Sequence, residues 1–191
     1  MIKNKLINLK YFIIFLSLTV LVSCQTFKLV NNNSLHEMKS MKVTPLNNWN
    51  MLSKELWSID GILLNRVIFV EAKEGDYVLP LKNQWGLAKE GSPKYKEGTQ
   101  ILEIPNLIKY TFEVNGWENV KLLETQPFNF LDSNGFRLNF SLSNEGLKNK
   151  ALAYGNIINK KLYLMIYIAP LVEFYDRYED DFINMAENAT L

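Results

Sequence analysis

The sequence predicts an α+β domain, in which an antiparallel sheet carries a packed C-terminal helix and one further helix. Three observations support this. Phe136, Leu138, Phe140 and Leu142 alternate with Arg137, Asn139 and Ser141, and a period of two gives a strand one buried and one wet face. Leu162 to Ile168 is apolar or aromatic throughout, as expected of a central strand covered on both sides. After Pro170, the residues Leu171, Phe174, Tyr175, Tyr178, Phe182, Met185 and Ala189 form one apolar stripe at helical spacing. Short turns between consecutive strands require antiparallel neighbours. Strands and helices in these proportions suggest an α/β/α sandwich.

In chain order, residues 1–23 read as a signal segment, 24–42 as a tether and 43–191 as one globular domain. The tether contains the polar run Asn31-Asn32-Asn33-Ser34, and Leu35, Met38 and Met41 suggest a helical turn at most. The domain opens at Val43-Thr44-Pro45, and Trp49 and Trp57 flank a short connecting segment. Ile62 to Glu71 is rich in branched and aromatic side chains, which favours a strand. Gly75-Asp76 reads as a turn before Tyr77-Val78-Leu79. Residues 82–98 hold Gly86, Gly91, Pro93 and Gly98 among four lysines, an irregular stretch that is either a plain loop or a contact surface. Pro105 suits a first helical position, and Asn115-Gly116 suits the end of that helix. Beyond Trp117 strands follow, with turns at Asp132-Ser133-Asn134-Gly135, Asn144-Glu145-Gly146 and Asn159-Lys160. Ala151 to Ile158 is a strand between the last two turns.

The residues for most chemistry are missing. His36 is the single histidine, and on a tether it could not be held for nucleophilic or acid–base work. Without further histidine or cysteine in the domain, no zinc or transition-metal site is expected, and no cofactor. Glu173, Asp176, Glu179, Asp180 and Asp181 form the densest acidic cluster. They lack the spacing of a calcium loop and read as a solvated helix face. Arg137 is a weak candidate for an anion, with a surface ion pair the simpler expectation. Tyr163, Tyr167, Tyr175 and Tyr178 read as core rings with their hydroxyls at the edge. These readings point away from an enzyme.

The N-terminus carries the most specific signal. Lys3, Lys5 and Lys10 precede the apolar stretch Tyr11–Val22, which ends in Leu21-Val22-Ser23-Cys24. Twelve residues are too few for a membrane-spanning helix, which takes about 20. The order of a basic region, an apolar region and small residues is that of a signal peptide, and the tetrapeptide resembles the lipobox of bacterial lipoproteins. That resemblance implies an acylated Cys24 as the new N-terminus, stably anchored through more than one acyl chain. Gln25 after the cysteine favours the outer membrane, facing the periplasm. Cys24 is the only cysteine, so the mature domain has no disulfide and stands on its core alone. With 21 basic and 20 acidic residues, no strong field draws it to nucleic acid.

Gly135-Phe136-Arg137, Gly146-Leu147, Gly155, Leu162-Tyr163-Leu164, Tyr167, Ala169-Pro170 and Tyr175, with Pro45, Trp49-Asn50, Trp57, Asp60-Gly61, Leu64-Asn65 and Phe69 upstream, are similar to the pattern of a family of Gram-negative envelope lipoproteins. The resemblance spans most of residues 43–191 and departs from the family in the 82–98 segment. It carries over no activity and no catalytic residue. The order of elements also resembles the PsbP/Mog1 type of sandwich, at the level of fold only. The expectation is a lipid-anchored, non-catalytic binding or accessory module with an envelope protein partner. The alternative is a carrier or sensor of a small apolar ligand held between helix and sheet.

Overall fold

The computed structural model describes residues 27–81 and 89–191. The signal segment, Cys24 and residues 82–88 lie outside the described residues. The strands are β1 (Lys28–Val30), β2 (His36–Met38), β3 (Met41–Val43), β4 (Trp49–Ser53), β5 (Leu56–Ser58), β6 (Arg66–Ala72), β7 (Glu118–Phe130), β8 (Ser133–Asn144), β9 (Leu147–Ile158) and β10 (Lys161–Pro170). Helix α1 (Ile104–Val114) follows a single 3-10 turn, and α2 (Tyr175–Glu187) closes the chain. Eight strands form one sheet in the order β1-β4-β5-β6-β10-β9-β8-β7, and β2 and β3 form a separate hairpin. All neighbours are antiparallel. The chain builds β4 to β6, crosses the sheet through α1 to the far edge at β7, and meanders back until β10 pairs with β6.

Strand β10 occupies the centre as predicted, with every residue from Leu162 to Pro170 buried. Successive side chains serve opposite faces. Tyr163, Met165 and Tyr167 join Val67, Phe69, Leu152 and Tyr154 under α2, against its Tyr175, Phe182 and Met185. Leu162, Leu164, Ile166 and Ile168 join Val70, Ala153, Leu138 and Phe140 on the other face, against Ile108 and Phe112 of α1. Each fully buried large side chain contributes about 1.5–3 kcal/mol, so the two helices are the cover that makes a two-faced strand stable. Gly155 allows the close approach across this sheet, because a Cβ there would lie 2.4 Å from both Leu164 Cδ2 and Phe136 Cζ.

The returning meander is joined by two-residue turns, as the registers Phe130↔Ser133, Asn144↔Leu147 and Ile158↔Lys161 show. Both turn residues have positive φ in each case: 55° and 56° at Leu131-Asp132, 48° and 79° at Glu145-Gly146, 49° and 64° at Asn159-Lys160. That is the type I′ geometry whose twist matches a hairpin. The expected turn at Asp132–Gly135 therefore falls two residues earlier. Its apolar Leu131 is buried, which hides the turn from a hydropathy pattern. Strand β9 likewise begins four residues before the expected Ala151, and α2 begins at Tyr175, after a turn at Leu171–Phe174.

Several expectations are corrected. Residues 27–42 are not a tether. Strand β1 pairs with β4 at the sheet edge, and Val30, Met38, Met41 and Val43 are buried under the α2 side. Met38 faces Met41 across the β2–β3 turn, so the three-residue spacing that looked helical is the signature of a tight hairpin. The Asn-rich run is the turn before it, with Asn33 at φ 51°. Trp49 and Trp57 do not flank a linker but sit in β4 and β5, both fully buried. Asp181 also leaves the solvated acidic face. Its side chain is buried and accepts hydrogen bonds from Leu46 N at 2.6 Å, Asn47 N at 3.0 Å, Asn47 Nδ2 at 3.1 Å and Trp49 Nε1 at 2.9 Å. Glu173, Asp176 and Asp180 are exposed and Glu179 half-buried.

A second polar tie holds the β2–β3 hairpin. The Glu71 carboxylate accepts from Ser40 Oγ at 2.6 Å, Ser40 N at 3.2 Å and Lys161 Nζ at 2.7 Å. Partial burial works against its charge, but the hydrogen bonds from Lys161 and Ser40 outweigh it and hold the carboxyl below the usual glutamate value. The stabilisation is therefore complete above the unfolded-state pKa and is lost as pH falls through the lower folded-state value. In urea titrations, the gap between the parent and Glu71→Gln should be constant above about pH 5 and close on further acidification. Asp181→Ala should lower stability by about 3 kcal/mol, because buried donors lose a charged acceptor. Asp180→Ala, on the exposed face, should stay within about 0.5 kcal/mol of the parent in the same titration.

Candidate functional site

Arg66 opens β6, opposite Ile168 of β10. It shares the parity of Ile68 and Val70, so its side chain enters the α1 face of the sheet. The turn before it is tied by side-chain hydrogen bonds. Buried Asn65 accepts from Ser58 Oγ at 3.1 Å and Ile59 N at 2.8 Å, and donates to Asp60 Oδ2 at 2.8 Å.

Trp117 meets Arg66 from the other side. Helix α1 ends in a Schellman motif: Gly116 at φ 91° donates to Glu113 O, and Trp117 N donates to Phe112 O, both at 3.1 Å. The Trp117 and Phe112 rings pack edge to face at 6.0 Å, the apolar contact that accompanies this cap. The indole is thereby placed with its centroid 5.1 Å from Arg66 Cζ, a cation–π contact.

The guanidinium has little else. Its Nε is buried without a hydrogen-bond partner, and no carboxylate forms an ion pair with it. All 20 acidic residues fall between Glu37 and Glu187, none of them in 82–88, and Glu145, which lines a cleft with Arg66, forms no ion pair with it. Burial pushes the Arg66 pKa down to about 10, the direction expected of an uncompensated cation.

Two open clefts share Arg66 and Leu81 as a common wall. One, of about 400 Å³, is evenly polar and apolar: Lys89, Asn115, Asn149 and Glu145 line it with Leu63 and Trp117. The other, of about 300 Å³, is mainly apolar, with Leu52, Leu56, Ile62, Ile68 and Pro80. Leu63 is 76% exposed and Ile62 41%. A half-buried cation without an ion pair and exposed apolar side chains suit binding, whereas the Asn115 and Asn149 amides already donate within the chain. Among the described residues, no three His, Cys, Asp or Glu side chains group to hold a metal.

The candidates from sequence are scattered elsewhere. Arg137 forms no ion pair. Its guanidinium lies over Tyr154 at 5.8 Å with Nε buried, inside a packed cluster beneath α2. There the Tyr154 and Tyr175 hydroxyls are also unpartnered, and burial raises both, Tyr154 to about 12. The expected wet face of β8 is thus half-covered at Arg137. Tyr163, Tyr167 and Tyr175 are core residues, as expected, and Tyr178 packs at the core edge. His36 is held after all, in β2, with Nε2 2.8 Å from Asn31 O and the ring edge-on to Trp57 at 5.9 Å. Tyr77 and Lys94 form an isolated bridge across the described part of the irregular segment. Arg66 itself was missed, although a charge in phase with Ile68, Val70 and Ala72 was a readable signal.

Comparison with protein-family models gives no match, and neither does comparison with curated proteins. If Arg66 is retained for binding and not for packing, Arg66→Met, which keeps the aliphatic stem, should leave stability unchanged or raise it by about 1 kcal/mol. Urea unfolding checks this. A loss above about 2 kcal/mol would assign the residue to the core.

Proposed function

We propose that the protein is a lipid-anchored envelope protein that works by binding and not by catalysis, with Cys24 as the acylated residue. Gln25 supports an outer-membrane position with the domain facing the periplasm, in contact with an envelope protein partner. The likeness to Gram-negative envelope lipoproteins and to a PsbP/Mog1-type α/β/α sandwich belongs to the same proposal. A helix on each face of the sheet supports the sandwich, and no described helix is long and apolar enough to cross a membrane. Because β1 starts at Lys28, only residues 25–27 separate it from Cys24. At about 3.5 Å per extended residue, an acylated Cys24 would hold the domain at the membrane surface instead of on a long leash.

The observation that carries the binding reading is Arg66, a half-buried cation that forms no ion pair and whose Nε has no hydrogen-bond partner, at the wall between two open clefts. A second reading, a carrier of a small apolar ligand, has its own support. A groove of about 240 Å³ lies between the start of α1 and strands β7 and β8, lined by Ile101, Leu102, Pro105, Pro127 and Phe136 among others.

Cys24→Ala should move the protein from the membrane to the soluble fraction and remove the acyl mass from its N-terminus. Unchanged fractionation would end the anchor reading. A photocrosslinking side chain at Leu63, beside the clefts, should give a reproducible adduct in native envelopes, and one at exposed Leu102 should not. No adduct at Leu63 would count against the cleft, and an adduct only at Leu102 would favour the apolar groove.

A further inference from the structure

We propose that the paired clefts at Arg66 bind an amphipathic organic monoanion, a carboxylate head on an unbranched apolar chain. The proposal deepens the binding reading above and rests on it.

The head group is argued from charge and geometry. A guanidinium presents its donors as a planar fork that matches a carboxylate with two parallel hydrogen bonds. Arg66 uses that fork on no carboxylate of its own chain. Its one observed partner is the Trp117 face, which leaves the edge of the guanidinium for a ligand. Lys89 adds a second cation on the polar side and Glu145 subtracts one. That balance favours a single negative charge over a dianion such as phosphate.

The tail is argued from the second cleft. Leu52, Leu56, Ile62 and Pro80 extend an apolar surface away from Arg66, and Ile62 stands open to solvent. The carboxylate there, Glu55, is already paired with Lys39 at 2.5 Å. About 300 Å³ is at the small end of ligand pockets, room enough for a short alkyl chain. One molecule can then satisfy both clefts, its head on the cation and its tail along the apolar wall.

The test uses the full chain in phospholipid nanodiscs, titrated calorimetrically with sodium octanoate against empty nanodiscs. Octanoate should bind saturably. Arg66→Gln should weaken it at least tenfold, and Arg66→Lys several-fold, since an ammonium lacks the fork. Neutral 1-octanol and inorganic phosphate should each bind at least tenfold more weakly than octanoate. Ile62→Glu, a surface change that leaves the core untouched, should also weaken octanoate at least tenfold and serves if the Arg66 variants fail to fold. No saturable octanoate binding by the parent, or equal binding by both Arg66→Gln and Ile62→Glu, would overturn the proposal. So would Arg66-dependent binding of phosphate as tight as that of octanoate. Failure of octanoate with a persistent Leu63 adduct overturns the ligand class alone, and loss of both overturns the binding reading with it.

Discussion

Strand β10 has no wet face, and the rest of the architecture answers that constraint. A strand buried on both sides needs a neighbour at each edge and a layer above and below. Strands β6 and β9 supply the edges. Helix α2 and the N-terminal hairpin supply one layer, and α1 with the crossover segment supplies the other. The crossover is long because the chain must travel from β6 to the far edge before it can meander back to the centre. Its passage over the sheet brings the C-terminal end of α1 beside the start of β6, and the clefts form there.

The polar ties follow from the same closure. Asp181 lies on the face of α2 that turns toward the segment before β4. Its carboxylate receives two backbone amides, a side-chain amide and an indole. A buried carboxylate without such donors would be costly, and with them it holds the helix and the segment in one register. Glu71 does the same for the β2–β3 turn and β10 at a more exposed position. Both contacts join parts of the chain far apart in sequence, so they are tertiary closures and not local structure.

Arg66 departs from this economy. Asp181 is buried and fully answered, whereas Arg66 is half-buried and answered by one aromatic ring. Sites that break the local rules of a fold are where function is expected, and binding sites are commonly retained at some loss of stability. The Arg137 cluster shows the contrast. It too holds unpartnered polar atoms, but they are packed beneath α2, and none of the clefts described above borders it.

Much of the fold was legible because it rests on short-range pattern. The alternation from Phe136 to Leu142, the two-faced run in β10 and the stripe of α2 each report burial directly, through periods of two or of three to four. The Asn115-Gly116 stop was legible because a helix end has a local chemical signature. What the sequence settled by itself was therefore the class of the fold, its central strand and its last helix. Tertiary structure alone decided that residues 27–42 belong to the sheet and its cover, since a three-residue strand carries too few side chains to show a period. It alone turned Asp181 inward, because the donors that permit its burial lie more than 130 residues upstream. And it alone left Arg66 unpaired, because whether a cation has a counter-ion depends on which distant side chains the fold brings within reach.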